Sequence, residues 1–166
     1  MRVSFGYPQP EEEWGVLQRR LSRRREEAVL DPVVDTPTLL AMQAALEDVT
    51  VEDSVGRYIV SLTTATREHP QVLVGASPRG SLALMLLSRA VAVMAGRNFV
   101  VPEDVKQVAV AALAHRVTLR PEMWLRQVDS ASVVASVLHS VPTPVSAALP
   151  RHSASADPAA MPAQRG

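Results

Sequence analysis

The sequence contains no cysteine and only one lysine, Lys106. The first absence excludes disulfides, thiol catalysis and cysteine metal sites, and is compatible with a reducing compartment. The second leaves sixteen arginines to carry the rest of the positive charge. Aromatic residues are scarce at 4%, whereas apolar residues reach 47%. A core must therefore be built from Leu, Val, Ala, Met and Ile, a palette suited to packed helices. Neither sign of charge is in excess. The formal net charge over 166 residues is zero, so no global field favours nucleic acid or an anionic membrane. The most apolar run, Leu82 to Ala95, is too short for a membrane span and contains Arg89. Early acids (Glu11, Glu12, Glu13) and the lack of an apolar h-region argue against a signal peptide. The expectation is a cytoplasmic domain with neither membrane nor nucleic-acid partner.

What is present is a succession of helical patterns. Residues 3–7, Val-Ser-Phe-Gly-Tyr, alternate enough to predict a short strand stopped by Pro8. From Pro10 a helix is expected, with its acids in the first turn, Trp14, Leu17 and Leu21 on one face, and arginines 19, 20, 23, 24 and 25 near its C-terminal end. That cluster reads as a solvated helix end; an anionic partner is the alternative. Thr36 is expected to cap a helix opened by Pro37, with Leu39, Met42 and Leu46 as its buried stripe. Thr50 and Asp53 match a capping-box variant before a helix with the face Val55, Ile59, Leu62 and Thr66.

Ser77 and Pro78 predict the start of the next helix, which is apolar nearly all round and so expected to be the central member of a bundle. Residues 98–101 read as a loop or short strand. Pro102-Glu103-Asp104 starts a helix with the stripe Val105, Val108, Ala109, Ala112 and Leu113. Residues 116–128 read as extended or irregular, and a last helix is expected over about 129–141. The fold class is therefore all-α, a bundle of about five to six helices preceded by one short β-strand. The Pro/Ala/Ser-rich end of the chain has no periodicity and is expected to be disordered.

Gly75-Ala-Ser-Pro-Arg-Gly80-Ser81 has the glycine spacing of a phosphate-binding P-loop but lacks its lysine, and Pro78 removes one of the backbone donors such a loop uses. It is not a P-loop. It does place Arg79 in the first turn of a helix, where backbone amides and the dipole favour an anion and a guanidinium fork suits phosphate oxygens. The other reading is an ordinary Ser-Pro helix start with an exposed arginine. His69, His115, His139 and His152 lie far apart, with no metal-ligand spacing, and read as surface or core-edge residues. No serine sits in a nucleophile elbow. No catalytic residue and no metal site is expected. Tyr58 and Ile59 read as core, with an apolar ligand pocket as the alternative.

The order of segments resembles the C-terminal part of MoxR-type AAA+ ATPases. The resemblance is carried by Phe5-Gly6-Tyr7-Pro8 with the following glutamates, Tyr58-Ile59-Val60 with Ala65-Thr66-Arg67, and Gly75 to Gly80. It continues through Gly96-Arg97, Phe99-Val100, Pro102 to Val105, Ala114-His115-Arg116 and Arg120-Pro121-Glu122. It implies that residues 1–8 hold the last strand of an absent ATPase core, residues 9–142 the helical lid, and residues 143–166 a tail. Arg79 would be the sensor-2 residue that reaches the γ-phosphate, with Tyr7, Tyr58 and Ile59 as weaker nucleotide-pocket candidates. The family's P-loop, Walker-B acids, sensor-1 asparagine and arginine finger have no counterpart in this sequence, so ATP and Mg²⁺ are implied only for an intact ATPase, and this chain alone is expected to be inactive. The implied partners are the missing core or neighbouring subunits of a hexameric ring, and a von Willebrand-type protein. The implied role is chaperone-like maturation or assembly of partner proteins. A stand-alone helical interaction module without a nucleotide role is the alternative. A nucleic-acid binder using Arg19 to Arg25 is disfavoured by the neutral charge.

Overall fold

Proline in the first turn opens four helices, because its fixed φ suits that turn and its missing N–H has no intrahelical partner there anyway. The computed structural model describes residues 1–24 and 30–145. Within them the order is α1 (Pro10–Arg23), α2 (Thr36–Ala45), α3 (Asp53–Glu68), β1 (Val72–Val74), α4 (Pro78–Met94) and α5 (Pro102–Leu113), followed by a 3₁₀ turn (Ala114–Arg116), β2 (Thr118–Leu119), α6 (Glu122–Leu125) and α7 (Ser130–Ser140). The mostly helical class expected from the sequence is what forms, with seven helices among the described residues because the irregular stretch 116–128 contains the single-turn α6. It also contains β2, which pairs antiparallel with β1. Arg25 and residues 146–166, where part of the arginine cluster and most of the expected tail fall, lie outside the described residues.

The core gathers one face each of α3, α4, α5 and α7. Val55, Ile59, Leu62 and Thr66 are buried on α3, and the predicted α5 stripe is buried from Val105 to Leu113. On α7, Val133, Val134 and Val137 close the other side. Helix α5 is more central than α4, since it packs against α3, α4 and α7, whereas α4 packs mainly on α3 and α5. The apolar composition of α4 misleads here. Leu84, Val91 and Ala92 face inward, while Leu82, Leu86 and Val93 remain substantially exposed.

Other local expectations change for identifiable reasons. Residues 3–7 form no strand. A strand is defined by a neighbour, and no strand pairs with this segment among the described residues; just before it the Arg2 N–H donates to the Ala111 carbonyl at 2.8 Å. Asp35, not Thr36, caps α2, its carboxylate accepting the Thr38 N–H at 2.8 Å. The α2 stripe is not buried: Leu39 and Met42 are exposed, and no residue of α2 is fully covered. The Thr50–Asp53 capping box does not form. The Thr50 backbone is engaged by Asn98 and Val100 in a bridge beside Phe99, and Asp53 pairs with Arg57 one turn on.

The α4–α5 connection is fastened by charge. Arg97 makes a bidentate pair with Asp104, at 2.6 and 2.9 Å, and also donates to the Phe99 carbonyl. Asp104 additionally accepts the Val101 N–H at 2.9 Å, so one carboxylate both caps α5 and holds the arginine. The Gly96-Arg97 and Pro102 to Val105 segments thus act as one structural unit.

Candidate functional site

Arg79 is the second residue of α4 and is exposed. Ser77 occupies the N-cap position in an extended conformation, but its side chain makes no capping bond; its carbonyl accepts the Gly80 N–H at 2.7 Å. The anchoring of this helix start comes from α3. The Ala76 N–H donates to the Thr66 hydroxyl at 3.0 Å, and the Ala76 carbonyl accepts from Arg67 Nε at 2.7 Å. Ala76 is fully buried, so both of its backbone polar groups need such partners. On the far side of Arg79, the Ser81 hydroxyl lies 2.8 Å from that of Thr63. Two glycines permit the close approach. A Cβ on Gly75 would stand 2.6 Å from the Arg67 Cα, and one on Gly80 would stand 3.2 Å from both Ala76 Cβ and Leu113 Cδ2.

The arrangement is a cation on a helix N-terminus whose entry loop is held rigidly to the neighbouring helix. Such a constellation can attract and orient an anion. It supplies neither a nucleophile nor a base. Among the described residues no group of three His, Asp or Glu side chains could hold a metal ion. The donors at this helix start are of the kind from which phosphate oxygens accept.

The weaker candidates do not join Arg79. Tyr7 is 98% exposed, on the irregular N-terminal segment. Tyr58 and Ile59 are each 3% exposed and belong to the core. Burial pushes the Tyr58 phenol above its ordinary value, with the Thr143 side chain pulling the other way and the Glu103 charge adding to the rise. Of the histidines, His115 and His139 are exposed, His69 bonds Ser136 of α7 at 3.3 Å, and His152 lies outside the described residues. Residue-by-residue reading missed Thr63, Thr66 and Arg67 as the supports of the Arg79 loop. The available signal was Gly75, a glycine outside any turn requiring positive φ, which points to a close backbone approach.

Residues 64–137, which contain this loop, Thr66 and Arg67 of its supports, helices α4 to α6 and most of α7, match the family model of the AAA lid domain. This segment is an AAA lid domain. Two of the relatives it is similar to carry the MoxR name. The chaperone MoxR1 of Mycobacterium tuberculosis is 30% identical over 95% of this chain and 43% of its own length. Protein MoxR of Methylorubrum extorquens is 28% identical over 80% of this chain and 47% of its own. Protein YeaC of Bacillus subtilis is 34% identical over 87% of this chain and 45% of its own. A crystal structure of an ATPase candidate from Cytophaga hutchinsonii superimposes with a TM-score of 0.75 at 28% identity, covering 87% of this chain and 46% of that one. The chain is similar to the lid-bearing part of MoxR-type AAA+ proteins, and it spans a little under half the length of the curated relatives it matches.

Proposed function

We propose that this lid reads the nucleotide state of a MoxR-type AAA+ ATPase through Arg79. The observation that carries the reading is the exposed guanidinium on the first turn of α4, at the end of a loop held by Thr66 and Arg67. Phosphoryl transfer needs a phosphate cradle, a metal held by acidic ligands and a positioned water. A P-loop core supplies these, and Arg79 reaches the γ-phosphate from the lid, so that loss of that phosphate changes the lid's position. ATP and Mg²⁺ are then cofactors of the intact ATPase and not of this chain by itself. The partners are an ATPase core and neighbouring subunits in a ring, with a von Willebrand-type protein as a further partner. The output is chaperone-like maturation or assembly of client proteins in the cytoplasm.

The purified chain is expected to show no ATP turnover above background, and to bind ATP weakly through Arg79. Titration of ATP followed by amide chemical shifts should move the signals of residues 79–81, and Arg79→Ala should remove the response. Real turnover by the chain that is abolished by Arg79→Ala would sink this reading.

A second reading, a helical module that docks on another protein, draws on a different surface. Trp14, Leu17 and Leu21 of α1 and Leu39, Leu40 and Met42 of α2 are exposed, and a groove of about 310 Å³ between α2 and α4 is lined by Met42, Leu46, Val93 and Met94. Under this reading Arg79→Ala changes nothing, and charged substitutions in that groove abolish partner binding.

A further inference from the structure

The Thr66-Arg67 pair at the end of α3 enters the reading just given only as the support of a loop, and its geometry says more about how Arg79 is placed. Thr66 and Arg67 are consecutive, and each takes one backbone group of the same residue, the N–H and the carbonyl of Ala76. The bond from Arg67 is charge-assisted, and its 2.7 Å length lies in the strong range for a guanidinium donor. Gly75 brings the loop against the Arg67 backbone itself. Two residues beyond Arg79, Ser81 is tied to Thr63. The Thr63 hydroxyl also reaches the Val60 carbonyl at 2.9 Å, so the Ser81 contact is tied into the backbone of α3. Arg79 is thus bracketed on both sides by bonds to α3, while its own side chain stays exposed.

We infer that Arg67 is a positioning residue for Arg79. By holding the Ala76 carbonyl it fixes the direction in which α4 begins, and with it the place from which the Arg79 guanidinium meets an anion. The inference rests on the reading of Arg79 as a phosphate ligand. Arg67 acts through the loop and does not touch the phosphate. A lysine is not an equivalent clamp, because an ammonium is a point charge without the planar fork that fixes the donor's direction.

A double-mutant cycle on the full chain tests this, with ATP as the probe and affinities read from amide shifts. Arg67→Ala is expected to weaken ATP binding about fivefold or more when Arg79 is present, and to have no further effect in an Arg79→Ala background. Hydrogen exchange at the Ala76 amide should accelerate in Arg67→Ala, and Arg67→Lys should behave as Arg67→Ala does. Equal weakening in both backgrounds would overturn the inference, since Arg67 would then meet the anion directly. So would wild-type ATP affinity in Arg67→Lys, which would make charge alone sufficient. If Arg79→Ala weakens binding while Arg67→Ala does not, only the positioning role fails. If the wild type and Arg79→Ala respond to ATP alike, the reading of Arg79 fails as well, and the two failures are told apart by that single comparison.

Discussion

Gly75 lies so close to Arg67 that a Cβ on the glycine would stand 2.6 Å from the Arg67 Cα and 2.7 Å from its backbone nitrogen. Backbone cannot swing aside as a side-chain tip can. Gly75→Ala should therefore destabilise the lid by about 1–3 kcal/mol, the usual range for overpacking. Gly80→Ala meets only side-chain carbons at 3.2 Å, and gains about 1 kcal/mol of helix propensity in return. Its net effect should be clearly smaller. Urea denaturation of the two variants gives the comparison, and equal stability would contradict it.

Asp104 has a side chain only 4% exposed and serves both Arg97 and the Val101 N–H. Asp104→Ala leaves the arginine and an amide without their partner, and should cost about 3 kcal/mol. Asp53→Asn offers the control. Its pair with Arg57 is exposed on both sides, and the unfolding midpoint should stay where it is.

Thr66→Val keeps the shape of the side chain but removes the acceptor of the buried Ala76 amide. The unpaired N–H should cost about 1–3 kcal/mol. Hydrogen exchange would register the change first at Ala76, ahead of the α5 amides in the core.

His115 supplies a pH dependence. Although His115 is exposed, slight desolvation of its ring, then the positive charges of Arg116, the N-terminal ammonium and Arg2, hold it below its ordinary value of 6.5, against a raising contribution from the Ala111 backbone. A folded-state value below the unfolded one means that the unfolded chain takes up the proton first. The contribution to stability is thus present above about pH 6.5 and is lost as the pH falls through the folded-state value. The melting temperature should decline between pH 7.5 and pH 5.5, and His115→Gln should flatten part of that slope. An unchanged slope in the variant would remove His115 from the account.

Much of the helical order was legible because it rests on local rules. Proline in the first turn marked α1, α2, α4 and α5, and the apolar spacing on α3 and α5 named residues that are indeed buried. The misreadings fell where local pattern and tertiary choice diverge. Leu39 and Met42 have helical spacing, but α2 buries no face among the described residues. Thr50 and Asp53 have capping spacing, but the strand-like contact with Phe99 engages the Thr50 backbone. Leu82 and Val93 are apolar, yet α4 turns them outward because only one side of it meets α3 and α5.

Sequence by itself determined that Gly75 to Ser81 is not a P-loop, the mainly helical class and the candidacy of Arg79, since each depends on residue identity, spacing or a short segment. It could not determine what holds Arg79 in place. Thr63, Thr66 and Arg67 precede the loop they support by 9 to 18 residues, and their bonds exist only because α3 and the start of α4 are packed together. A hydrogen bond needs its partners within about 3 Å, and only the tertiary structure brings them there.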